Sequence, residues 1–200
     1  MDERTKVTLS AGELAIAADR DIILTKRMVM ECASELFSGQ IPFISNAFSA
    51  IIKNEDLRNA APKISRGENY NGLPYVILDY PALFTKDNAF ALRTMFWWGN
   101  FFSITLHLSG RFREHYAETI FKSLQDAGAD VYVCTGEKEW EHHFEESNYK
   151  AYASLTDGEQ KRLAAKPFLK IAIKYELHHW NMMQSILPEG YNKILKLLSA

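Results

Sequence analysis

The chain has 200 residues, 47% of them apolar and 24% charged, the proportions of a globular protein rather than of a disordered tract. Its 23 basic and 25 acidic side chains leave a formal charge of −2, which offers no general attraction to nucleic acid or to anionic lipid. Two cysteines, Cys32 and Cys134, form neither a disulfide framework nor a C-x-x-C site, and a reduced, cytoplasmic setting is expected.

The opening MDERTKVTLS lacks the apolar core of a secretory signal, and no run of about 18 apolar residues reads as a membrane span. Ser10-Ala-Gly-Glu13 has the form of a capping box. The segment that follows, through Phe37, places Leu14, Ala17, Ile22, Met28, Val29, Cys32 and Leu36 on a broad apolar helical face. Gly39 is read as the stop of that helix, and a second helix is expected from Ser45 through Leu57. Pro62 and the stretch 66–72 read as a loop.

The periodicity then changes. Residues 74–80 read as a strand closed by Pro81, and 90–98 and 101–109 as a β-hairpin around Gly99-Asn100. Glycine at the first of two central positions suits a type II′ turn, which would set Trp98 opposite Phe101. Residues 111–127 read as a helix ended by Gly128. Short strands are expected at 131–134 and 149–155, with a charged helical or looped piece between them. A short helix at 157–166, an alternating strand at 168–177 and a terminal helix interrupted at Pro188-Glu-Gly190 complete the chain. The expected fold is α+β: a single domain over 1–200, with an N-terminal helical segment (1–62) and an antiparallel sheet of five or six strands with covering helices (74–200).

Counted outward from a two-residue turn, one hairpin face holds Thr94, Phe96, Trp98, Phe101, Ser103, Thr105 and His107. The other is nearly all apolar, with Arg93 as its exception. The mixed face has the character of a small-molecule pocket, an apolar wall with a few polar groups that fix orientation. Its plainer reading is a wetted outer face of an antiparallel sheet. Arg93 reads either as the fork that receives a carboxylate or phosphate, or as the partner of an internal acid such as Asp79. A slip of one residue in register would carry it to the opposite face.

The six histidines raise a metal hypothesis, because Glu139 with His142 and Glu176 with His179 both have Glu-x-x-His spacing. That spacing works on long helices, whereas these segments read as partly β, and no metal ligand set is assigned. No Gly-x-Ser-x-Gly elbow, Walker loop or dinucleotide fingerprint is present.

The leading functional expectation is therefore the binding of a small, partly apolar ligand, neutral or anionic, by Arg93, Thr94, Phe96, Trp98, Phe101, Ser103, Thr105 and His107, with no cofactor assigned and catalysis left open. One rival is a protein-interaction or homodimerisation module built on the hairpin and N-terminal helices. The other is a metal-dependent enzyme using His142/His143 and His178/His179. No nucleic-acid or membrane partner is expected.

Overall fold

The computed structural model describes residues 7–199; the polar stretch 1–6, read above against a secretory signal, lies outside them. Seven strands form one antiparallel sheet in the order β1-β2-β3-β4-β7-β5-β6. They are β1 (Lys63–Tyr70), β2 (Leu73–Phe84), β3 (Ala89–Trp97), β4 (Phe101–Ser109), β5 (Tyr132–Cys134), β6 (Tyr149–Ala151) and β7 (Phe168–Glu176). The helices are α1 (Ala11–Ala18), α2 (Arg20–Ile51), α3 (Glu55–Arg58), α4 (Gly110–Leu124), α5 (Asp157–Ala165) and α6 (Met183–Lys196). The α+β class and the antiparallel sheet are as the alternation implies; the described residues form seven strands rather than five or six.

The additional strand is β1, in the stretch read as a loop. Its hairpin to β2 turns at Asn71-Gly72, where φ is +50° and +82°, the paired positive values of a type I′ turn. β2 also runs past Pro81, because a bulge between Asp79 and Ala82 shifts its register against β3 and lets the strand resume.

The central hairpin differs from the expectation by one residue. Trp97 pairs with Phe101 and Phe96 with Phe102, which leaves a three-residue connection, Trp98-Gly99-Asn100. The Asn100 amide donates to the Trp97 carbonyl at 3.0 Å, and Gly99 has φ +70°. Glycine thus stands at the third position of a turn of the type II kind rather than at the second position of a type II′ turn. Even-numbered residues of β3 and β4 consequently share one face and odd-numbered residues the other. Arg93 lies opposite Thr105, not among the apolar residues of β4.

The even face is the main core. Val76, Leu78, Phe90, Leu92, Phe96, Phe102, Ile104 and Leu106 are buried there beneath α2, α4 and α6. α2 is one helix of 32 residues, through both Gly39 and Pro42. Its buried positions Met30, Ala33, Phe37, Ile44 and Phe48 keep a helical spacing across the expected break, and that packing outweighs the local signals of glycine and proline. Phe37 meets Phe102 edge-on at 6.2 Å, and Phe48 meets Phe90 at 5.7 Å. α6 likewise continues through Pro188-Glu-Gly190, and a Cβ on Gly190 would stand 2.1 Å from the Tyr175 hydroxyl and 2.7 Å from Ile104 Cδ1. Glycine is what lets α6 lie so close to the sheet.

Candidate functional site

The odd face of the sheet has a different chemistry. Ile77, Met95, Trp97 and Phe101 form a small apolar cluster at the hairpin end, and Cys134, Tyr149, Phe168 and Ala172 form another. Between them lie Asp79, Arg93, Ser103, Thr105, His107 and Lys170. Register aligns Asp79, Arg93, Thr105 and Ala172 in one row across four strands, and sets His107 opposite Lys170. Buried polar groups need partners, and much of what satisfies these comes from one segment, residues 135–148, the loop between β5 and β6.

Five polar contacts seat that loop. The Tyr70 hydroxyl accepts the His142 amide at 2.6 Å and the His143 amide at 3.1 Å. His142 Nε2 lies 3.0 Å from Arg93 Nη1, and His107 Nε2 lies 2.7 Å from Glu139 Oε1. The Lys170 ammonium donates to the Glu141 carbonyl. Phe144 adds an apolar anchor, stacked on Tyr149 at 4.5 Å and edge-on to Phe101 at 4.9 Å.

Burial sets the protonation of these groups. The His142 pKa falls well below 6.5, first through burial and then through the positive charges of Arg93 and Lys170. The ring is neutral, so its Nε2 accepts from the guanidinium. Burial also lowers His107, against the opposing pull of Glu139, so that contact is a neutral imidazole N–H donating to a carboxylate. Glu139 is held ionised mainly by this bond. Lys170, 1% exposed, is brought down from 10.5 to about 8 by burial.

Beside the polar row opens a cleft of about 800 Å³. Asp79, Arg93 and His142 line it together with the aromatic and apolar side chains of Tyr70, Tyr75, Ile77, Met95 and Trp140, while Lys63 and Ser65 of the edge strand β1 contribute at one side. Arg93 Nε and Nη2 donate to the two oxygens of Asp79 at 2.7 and 2.8 Å. With the contact to His142, three of the five guanidinium N–H groups have partners among the described residues, which leaves two for the oxygens of a guest. Trp140 closes the loop side of the cleft, with its ring 5.0 Å from His107 and 5.8 Å from Phe84.

A second depression, of about 540 Å³ beside α5, is lined by charges that largely satisfy one another. Lys150 pairs with Glu159 at 2.8 Å, and Lys166 donates to the carbonyls of Thr135 and Gly136.

The eight residues singled out from the sequence divide between the two faces. Arg93, Phe101, Ser103, Thr105 and His107 lie on the odd face, and Arg93 lines the cleft. Thr94, Phe96 and Trp98 point to the helices: Thr94 Oγ1 lies 2.7 Å from the Tyr191 hydroxyl, and Phe96 packs against Phe102 and Trp180. His142 is at the cleft, whereas His178 and His179 sit in the 3₁₀ turn after β7. Among the described residues no three His, Cys, Asp or Glu side chains are grouped to hold a metal ion.

Sequence reasoning missed the contribution of Tyr70, Lys63 and Trp140, from β1 or the loop, and had no means of choosing Tyr75 among nine tyrosines. The signal for β1 was available in Asn71-Gly72, a strong hairpin dipeptide. No helix of the described chain is long and apolar enough to cross a membrane. Compared with known proteins, the chain matches no family model, no curated protein and no solved structure.

Proposed function

We propose that the odd-face cleft binds a small, partly apolar anion, one with an aromatic or alicyclic body and a single acidic group. The observation that carries this reading is the position of Arg93: a mostly buried guanidinium, 14% exposed, aligned by Asp79 and His142 beside aromatic walls. A planar fork held in place loses little freedom on meeting a carboxylate or sulfonate. Lys63 and Arg93 against Asp79, with His142 neutral, leave the lining one positive charge in excess. The apolar walls supply the rest of the affinity, as ligand clefts commonly do.

Titration with anilinonaphthalene sulfonate, an apolar fluorophore with one sulfonate, tests the reading. One saturable site is expected. Ala82→Trp, which fills the cleft from a half-buried position on its wall, is expected to weaken binding by roughly tenfold or more. Lys161→Ala, on the exposed side of α5 and away from the cleft lining, is the control and leaves binding unchanged. Dye binding that ignores Ala82→Trp overturns the proposal.

A further inference from the structure

Eight of the eleven large apolar side chains exposed among the described residues fall between Val7 and Met28. Over that stretch every residue but Lys26 is exposed. Lys26, joined to Glu68, marks where α2 reaches the edge strand β1. N-terminal to it, the end of α2 and all of α1 form an arm that buries none of its own side chains.

The arm is nevertheless helical, and its composition is that of a packed element. α1 has eight residues, a complete capping box at Ser10 and Glu13, and no buried residue. An isolated helix of that length is marginal in water, because helices in proteins are held chiefly by packing of an apolar face. Leu14, Ile16, Ile22, Ile23, Leu24 and Met28 are between 44% and 61% exposed. At roughly 60–120 Å² per fully buried side chain, the eight together offer on the order of 400 Å² of apolar surface. That equals the largest apolar patch of an ordinary monomer, which is often functional, and is about half of what one partner contributes to a standard complex.

We infer that this arm pairs with the arm of a second copy of the chain to form a two-fold dimer. Charge favours that occupant. Between residues 7 and 28 the arm and its root carry Arg20, Lys26 and Arg27 against Glu13, Asp19 and Asp21, three positive and three negative side chains that cancel. Such a surface has no excess positive charge to draw it to anionic lipid or nucleic acid. The acids Glu13, Asp19 and Asp21 precede the basic pair Lys26-Arg27 in sequence. A two-fold axis perpendicular to the arms sets them antiparallel, and the acidic end of each then lies beside Arg27 of the other, Lys26 being joined to Glu68 of its own chain. The two arms bury the exposed leucines and isoleucines between them and give α1 the packing it otherwise lacks.

Sedimentation velocity of the full chain tests this, compared with an Ile23→Asp/Leu24→Asp variant. Both positions are half exposed, so the sheet and its covering helices are expected to fold in the variant as in the wild type, with circular dichroism reduced only by the helical signal of the unpacked arm. The expected result is a wild-type dimer and a variant whose association is weakened by roughly a hundredfold or more. A wild-type monomer at high micromolar concentration overturns the inference, as does a variant that dimerises like the wild type. A monomer that sediments with neutral phosphatidylcholine vesicles, and loses that binding in the variant, replaces the second copy with a lipid surface.

Discussion

Asp79 and Arg93 face each other across β2 and β3 and are joined by two parallel bonds of 2.7 and 2.8 Å, with the remaining guanidinium nitrogen turned to His142. The pair is mostly buried, at 8% and 14% exposure. It connects the sheet to the loop above it, because the same guanidinium that holds the Asp79 carboxylate also holds the ring that seats the loop.

Removing one partner leaves the other charged and buried. Arg93→Met alone is expected to destabilise the protein by about 3–5 kcal/mol, whereas Asp79→Leu with Arg93→Met is expected to recover most of that loss. Urea denaturation of the two single variants and the double variant measures the coupling. Additive losses would show that the pair does not act as a unit.

The seating of the loop by Tyr70 predicts a local effect. Tyr70→Phe removes the acceptor of the His142 and His143 amides while keeping the ring that packs on Trp97 at 5.0 Å. Two half-buried donors then lose their partner, at up to about 1–3 kcal/mol each. Hydrogen exchange of these two amides is expected to quicken, with the amides of β3 and β4 unchanged. Uniform quickening across the sheet would contradict a local anchor.

Acid should weaken the fold through His142. Its pKa is depressed in the folded chain, so below 6.5 the unfolded chain binds the proton first and stability falls as pH falls. By pH 5 the loss from this ring is at most about 2 kcal/mol, and His107, lowered likewise, adds in the same direction. His142→Gln, which keeps an acceptor for Arg93, is expected to flatten the dependence of the thermal midpoint on pH between 7 and 5. An unchanged slope would place the sensitivity elsewhere.

Lys170 gives the opposite end of the pH range. Its pKa of about 8 against 10.5 unfolded means that stability rises with pH between those values, as the buried ammonium is relieved of its proton. The burden at neutral pH is on the order of 3 kcal/mol. Lys170→Met is expected to remove the rise between pH 8 and 9.5, read from urea midpoints, at the expense of the bond to Glu141. A variant that still gains stability over that interval would rule Lys170 out as its source.

The sheet and its helical cover were legible in the sequence because alternation is a property of single strands: β7, β3 and β4 each announce two faces. Register is a property of pairs. Trp98-Gly99-Asn100 accommodates either a two-residue or a three-residue connection, and the choice decides whether Arg93 lies among Phe102 and Leu106 or beside Thr105. The continuity of α2 through Gly39 and Pro42 rests on packing of Phe37, Ile44 and Phe48, which outweighs local stop signals. The segment Glu139-Trp-Glu-His142-His143-Phe144 stood out for its histidines. Its structural meaning, a loop laid over the polar half of the sheet, depends on partners 29 to 72 positions away, such as His107, Tyr70 and Lys170.

The central claim, a cleft that receives a small apolar anion at Arg93, is tested most directly by following nitrogen–proton resonances during a titration with anilinonaphthalene sulfonate. The Arg93 Nε–H and Trp140 indole signals are expected to move together and saturate at one equivalent, with Ile23 and Leu24 amides still. Shifts confined to the N-terminal arm, or an Arg93 signal that does not respond, would contradict it.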